Sequence, residues 1–255
     1  MALLELHNLR TGYKTAVVSH DINAQLRKGT LTCLLGPNGA GKSTLLRTLC
    51  AFQPALGGEI LLADKPLQDY TPQQLSRQIG VVLTDKVEVQ GLSVHDLIAM
   101  GRSPYTNFWG SIKSEDETLI DEAIQLVGIQ ELAQRQVSTL SDGERQKVMI
   151  AKALAQQTPL IFLDEPTAFL DFPSKVDIMM LLSQLAQQRQ MAILVSTHDL
   201  DMALQVADAL WLLSKDHGMA VGTPRQLAQD GTLNRYFQSP HITFDAEQLK
   251  FNIIK

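Results

Sequence analysis

The stretch GPNGAGKST at residues 36–44 limits what this chain can become more than any other. It fits the spacing G-x-x-x-x-G-K-[ST] at Gly36, Gly41, Lys42 and Ser43. An apolar run, LTCLL (31–35), precedes it and a helical pattern, KSTLLRTLCAF, follows. A glycine-rich turn between a strand and a helix lets the backbone wrap around phosphate oxygens. The N–H groups of Gly39, Ala40, Gly41, Lys42, Ser43 and Thr44 then point at the anion, and Asn38 belongs to the same cradle. Lys42 supplies a point charge between the terminal phosphates, and Ser43 offers a hydroxyl to Mg2+. The turn predicts an α/β fold that binds a nucleoside triphosphate.

The rest of the chain carries the same organisation. LIFL (160–163) and AILVS (192–196) are short apolar runs of the kind found in buried parallel strands, and ALWLL (209–213) is a fourth. Helical patterns separate them: KVDIMMLLSQLAQQ after LIFL, and LDMALQVADA after AILVS. Strands alternating with helices predict a parallel-sheet α/β core. The first segment, ALLELHNLRTGYKTAVVSHDINAQLRKG, alternates in short pieces and predicts antiparallel strands added to that core. From Ser93 to Gln157 the pattern is helical, with Ser93, Ser114 and Ser141 opening helices. The expected organisation is one domain over 1–255. Residues 1–92 and 158–222 form its nucleotide-binding core and β subdomain, 93–157 an inserted helical subdomain, and 223–255 a C-terminal extension.

LIFLDEP (160–166) completes a phosphate site in chemical terms. Its strand delivers Asp164 and Glu165 at the carboxyl end, the edge where ligands sit in parallel sheets. Asp164 suits Mg2+ through a water. Glu165, one residue on, points elsewhere and suits a general base for an attacking water. STHD (196–199) ends the next strand, where His198 can bond a γ-phosphate and orient that water. His7, His20, His95, His217 and His241 read as structural.

LSDGERQ (140–146) opens a helix, KVMIAKALAQQ. Ser141 with Glu144 three residues later is a capping box, and Asp142 suits the positive end of the helix dipole. The same helix start can receive an anion, although the Asp142 carboxylate repels phosphate. Both readings stand on the residues alone.

Composition bounds the rest. A net charge of −5 speaks against a nucleic-acid surface. Cys33 and Cys50 read as small core residues in a reducing compartment, not as a metal or disulfide framework. The start, MALLELHNLR, lacks the pattern of a signal peptide, and no apolar stretch is long enough to cross a bilayer.

These elements in this order, from about Leu4 to Pro224, resemble the ATP-binding-cassette ATPases. The resemblance implies ATP and Mg2+ as cofactors. It also implies a head-to-tail dimer with a second copy, in which Ser141 and the N–H of Gly143 cap the γ-phosphate held by the other subunit. Asp142 replaces the first glycine of the family's Leu-Ser-Gly-Gly-Gln motif, so its side chain is expected to point away from nucleotide. Tyr13 resembles the aromatic that stacks on adenine. FLD (169–171) resembles the D-loop, with Asp171 at the dimer interface, and His198 resembles the switch histidine. One position departs. The family carries Gln at the end of the strand IGVVLTDK, near Mg2+ and the water, and Thr84 stands there. Either Thr84 acts through a bridging water, or Asp85 substitutes, or the register is displaced toward Gln90.

A kinase is disfavoured by the signature motif and D-loop, and a ribosome or DNA-repair protein by the lone cassette and acidic charge. The resemblance implies the ATPase subunit of a bacterial importer, peripheral on the cytoplasmic face of the membrane. Its partners would be permease subunits and, indirectly, a substrate-binding protein. GLSVHDLIAMGRSPY (91–105) and NFWG resemble cassettes for iron-siderophore, haem or cobalamin permeases; Tyr105, Phe108 and Trp109 either line the permease groove or fill the core of the helical subdomain. An ABC ATPase for another substrate, or one without a transport role, is the alternative.

Overall fold

The computed structural model describes residues 2–83, 91–106, 112–237 and 241–253. The chain divides into two compact units, residues 1–69 with 182–255 and residues 70–181.

The first unit opens with an antiparallel hairpin of β1 (Ala2–Tyr13) and β2 (Ala16–Arg27). Its alternating pattern buries Leu4, Leu6 and Leu9 from β1 and Ile22 and Leu26 from β2. The register shifts between Leu6 and Leu9, where Asn8 takes a left-handed conformation. The Asn8 N–H donates to the Asn23 side chain at 2.9 Å, which satisfies backbone freed by the shift. β3 (Thr30–Leu35) then leads through the glycine-rich turn into α1 (Lys42–Leu49). β4 (Gly57–Leu62) pairs antiparallel with β1, and β5 (Lys65–Pro66) with β4.

The second unit contains α2 (Pro72–Leu75), β6 (Ile79–Val82), α3 (Val94–Ala99), α4 (Ser114–Leu126), α5 (Asp142–Ala155) and β7 (Leu160–Asp164). β6 and β7 pair in parallel from Ile79↔Leu160 to Val82↔Leu163. Between residues 93 and 157 the described residues form helices, as the sequence predicts. α4 and α5 bury Ile120, Ala123 and Ile124 against Val148, Ala151 and Leu154. Each isoleucine, valine or leucine among them contributes about 1.5–3 kcal/mol over its exposed state. One buried ion pair joins this apolar packing, Arg102 Nε to Asp116 Oδ1 at 2.8 Å. Arg102 also donates to the Ala155 carbonyl at the end of α5.

α6 (Phe172–Arg189) carries the chain back into the first unit, followed by β8 (Ala192–Ser196), α7 (Leu200–Val206), β9 (Ala209–Ser214) and β10 (Gly218–Gly222). There the strand order is β10-β9-β3-β8, with β3 parallel to both β8 and β9. α7 stops at Val206, short of the helical pattern that runs to Ala209. Asp208 is drawn to the start of β3 instead: its N–H donates to the Leu31 carbonyl at 2.9 Å and its carboxylate accepts from the Leu31 N–H at 2.8 Å. The chain ends in α8 (Pro224–Gln229), α9 (Thr232–Phe237) and a hairpin of β11 (Ile242–Asp245) and β12 (Lys250–Ile253). Phe251 joins these pieces, 4.6 Å from Phe244 and 5.9 Å from Phe237 between ring centres. Among the described residues no helix is long and apolar enough to cross a membrane.

Candidate functional site

The candidate residues fall in both units. In the first unit, the turn from β3 to α1 is shaped by close approach. A Cβ on Gly36 would lie 2.1 Å from the Leu213 carbonyl oxygen. Gly41 stands at φ +103 as the N-cap of α1, and a Cβ there would lie 2.8 Å from the Ser19 hydroxyl. Only glycine meets both demands. α3, α5 and α8 are capped by Ser93, Ser141 and Thr223, but among the described residues no side chain caps α1, and its first turn holds no acid. The positive end of α1 therefore carries no acidic side chain in its first turn, a setting that favours anions. Lys42 is buried and donates to the Gly36 and Pro37 carbonyls at 2.7 and 3.3 Å, which fixes its ammonium inside the turn. Ser43 is exposed on the first turn of α1, while Thr44 is buried and donates to the Tyr13 hydroxyl at 3.3 Å. Tyr13 ends β1 with about half of its surface exposed (48%).

His198 leaves the same sheet edge. The register pairs Leu34 with Ser196, and the Thr197 N–H donates to the Leu34 carbonyl at 3.2 Å. The phosphate turn and His198 therefore both emerge at the carboxyl ends of adjacent strands, where parallel sheets bind ligands. Asp199 fixes the turn beyond, accepting from the Met202 N–H at 3.2 Å and capping α7. His198 itself is exposed.

In the second unit, β7 ends on Asp164, and Glu165 follows in the left-handed region at φ +48. The left-handed backbone at Glu165 ends the extended course of β7. Four residues on, Phe169 is also left-handed, at φ +65. Asp171 accepts from the Ser174 N–H at 3.2 Å and caps the start of α6. Hydrogen bonds from Ser174, hydroxyl first and backbone second, hold the Asp171 carboxyl below the usual range.

Ser141 caps α5. Its hydroxyl accepts from the Glu144 N–H at 3.3 Å, and Glu144 accepts from the Ser141 N–H at 2.8 Å. The Glu144 carboxyl is held low by these bonds from Ser141, backbone first, with Arg135 adding to them. Gly143 faces Ser174, so the N-termini of α5 and α6 adjoin. Ser141, Gly143 and Asp171 line one open cavity of about 480 Å³ with Lys147, Phe169 and Ser174. Asp142 lies on the exposed side of the first turn.

Thr84, Asp85, Gln90, Phe108 and Trp109 lie outside the described residues. Tyr105 is described: its ring is held between two guanidinium groups, Arg102 at 4.1 Å and Arg77 at 4.9 Å.

The phosphate turn follows β3, and the acidic pair Asp164 and Glu165 stands at the carboxyl end of β7. The family model described as ABC transporter matches residues 19–168. The chain belongs to this family. This ABC ATPase is 36% identical to an ABC transporter ATP-binding protein of Methanocaldococcus jannaschii, over 99% of this chain and 89% of the relative. It is 34% identical to the iron(3+)-hydroxamate import ATP-binding protein of Bacillus subtilis, over 93% of this chain and 88% of that one. Among solved structures, it matches a metal-chelate type ABC transporter in an inward-facing conformation with a TM-score of 0.81 at 30% identity, covering 99% of this chain and 96% of that one. As an ABC ATPase it binds nucleotide.

The uncapped, acid-free start of α1 fits a triphosphate. Among the described residues no three His, Cys, Asp or Glu side chains gather into a metal site. Ser43 on the first turn of α1 and Asp164 at the end of β7 carry oxygens of the kind Mg2+ takes when it arrives with phosphates. Sequence reasoning missed the exposed pair Phe169 and Phe172, 77% and 71% exposed, and the polar link from Tyr13 to α1. The first had a signal, two aromatics beside the D-loop in FLDF; the second joins residues far apart in sequence and had none.

Proposed function

We propose that this ATPase powers a bacterial importer for an iron chelate: an iron-siderophore complex, with haem and cobalamin as the neighbouring classes. The carrying observation is the open N-terminus of α1 with Lys42 drawn into the turn, in a chain whose relatives include an iron(3+)-hydroxamate import protein.

In this reading residues 1–92 and 158–222 form the nucleotide-binding core, 93–157 carry the signature, and 223–255 extend it. Tyr13 stacks on adenine. The turn from Gly36 to Thr44 holds the phosphates, and Lys42 draws charge from the terminal ones. Ser43, and Asp164 through a water, would hold Mg2+, which neutralises phosphate charge. Thr84 takes the place of the family's glutamine near that ion. Glu165 takes a proton from the attacking water, and His198 orients that water toward the γ-phosphate. Ser141 and the Gly143 N–H of a second copy close over the same phosphate, with Asp171 at the interface. Closure moves permease subunits at the cytoplasmic face of the membrane.

The test is purification of the tagged chain from gently solubilised membranes, with mass spectrometry of what comes with it. A stoichiometric polytopic permease is the expected partner, and vesicles holding that complex should take up an iron chelate when ATP is supplied. Recovery of soluble partners alone overturns the transport reading and leaves the ATPase.

A further inference from the structure

Gln53 is half-buried just beyond α1 and belongs to none of the motifs above. Its side-chain amide nitrogen lies 2.9 Å from the Thr48 hydroxyl, 3.3 Å from the Thr44 carbonyl and 3.3 Å from the Gly12 carbonyl. The Thr48 hydroxyl in turn donates to the Thr44 carbonyl at 2.9 Å. One amide thus spans two turns of α1 and the residue before Tyr13. Two further bonds run the same way. The Leu56 N–H donates to the Arg10 carbonyl at 2.8 Å, and Thr44 donates to the Tyr13 hydroxyl at 3.3 Å. Gly12 permits the close approach: a Cβ there would lie 2.0 Å from the Ala16 carbonyl oxygen and 2.7 Å from Leu56 Cδ1.

The end of β1 is therefore tied to the phosphate-binding helix by its backbone, through Gln53, and by the Tyr13 hydroxyl. Without the amide, the ties left from the end of β1 toward α1 and the segment after it would be the Tyr13 hydroxyl bond and the Leu56–Arg10 bond. A nucleotide gripped at both ends needs a set distance between base and phosphates, and misplacement weakens the grip at one of them. We infer that Gln53 is a positioning residue that sets the distance of the Tyr13 ring from the phosphate turn, and so controls affinity for the base of ATP without touching it. The inference rests on the reading of Tyr13 as the adenine platform.

The experiment compares ATP with inorganic tripolyphosphate, which has the phosphates and no base. Equilibrium binding of each is measured on the parent protein and on Gln53→Met, Gln53→Leu and Tyr13→Ala. Both Gln53 variants keep the size of the side chain and lose the donor. Each is expected to weaken ATP binding about five-fold, the scale of one net hydrogen bond, with tripolyphosphate unchanged. The ratio of the two affinities cancels any unfolded fraction, so a loss of stability does not imitate the effect. In Tyr13→Ala the ratio falls further, and adding Gln53→Met to it then changes nothing more. If the Gln53 variants weaken both ligands alike, or neither, while Tyr13→Ala weakens ATP alone, the inference about Gln53 fails and the platform stands. If Tyr13→Ala leaves the ratio unchanged, the platform reading fails and takes the inference with it.

Discussion

The Ser141 hydroxyl donates to the Glu144 carboxylate at 2.8 Å while accepting from the Glu144 N–H at 3.3 Å. The residue that the proposed dimer presents to a γ-phosphate is thus already engaged in holding its own helix. Stability and turnover can be separated by cutting this pair from either side. Ser141→Ala is expected to cost about 1 kcal/mol of stability, the usual worth of an N-cap. It should also slow hydrolysis about tenfold or more, as loss of a phosphate-facing donor does. Glu144→Ala should cost a similar stability and leave turnover close to normal, because the hydroxyl remains. Denaturant titration and phosphate release check both. Equal losses of turnover in the two variants would show that the cap, not the hydroxyl, matters.

Arg102 and Asp116 make the buried ion pair of the helical segment. The Arg102 hydrogen bond holds the Asp116 carboxyl below its ordinary value, against the opposing effect of burial. A carboxyl whose pKa is lower in the folded state stabilises the fold above its unfolded pKa, about 3.9, and loses that contribution as pH falls toward the folded value. Asp116→Asn leaves the buried guanidinium without its counter-charge and is expected to cost about 3 kcal/mol at pH 7. Between about pH 5 and pH 3 the gap between the variant and the parent should narrow, because only the parent has this carboxylate to protonate. Urea titrations at several pH values measure that gap. A constant gap would mean that Asp116 acts through packing alone.

Local chemistry made much of this molecule legible before any coordinates. The strand AILVS has the same limits in the structure, Ala192–Ser196, where the apolar run Ala192–Val195 and Ser196 pair in register with Thr30–Leu34. The cap at Ser141 was readable because serine and glutamate three apart carry their own geometry. Partners distant in sequence decided the rest. α7 ends early because Asp208 answers Leu31, and the C-terminal hairpin is held by Phe251 against Phe237 and Phe244. At the candidate site the phosphate turn and the acids after β7 follow from spacing. Gln53 does not, since nothing near it in sequence says that its amide will reach Gly12.

Glu165 follows β7 at φ +48, a conformation that costs a non-glycine residue free energy. As the proposed base it is tested by Glu165→Gln, which keeps size and removes the proton acceptor. ATP binding should be retained while hydrolysis falls by about 100-fold or more. The variant should also run as a dimer in size-exclusion chromatography when ATP is present, because closure is no longer undone by cleavage. Near-normal turnover would remove Glu165 from that role.

Phe169 is 77% exposed and stands at φ +65, so it gives the folded monomer little burial and adds backbone strain. Phe172 is 71% exposed at the start of α6. Both rings leave most of their surface open to a partner that would cover it. Phe169→Gly should therefore leave the monomer as stable as the parent or more stable, by up to about 1 kcal/mol, because glycine takes this conformation without strain. The change should weaken ATP-dependent dimerisation, since the ring lines the same cavity as Ser141 and Asp171. Phe172→Ser should do the same to the dimer with little change in the monomer. Denaturant titration without nucleotide and sedimentation with ATP in the Glu165→Gln background read the two effects apart. If Phe169→Gly destabilises the monomer instead, the ring serves its own fold and the interface must be sought elsewhere.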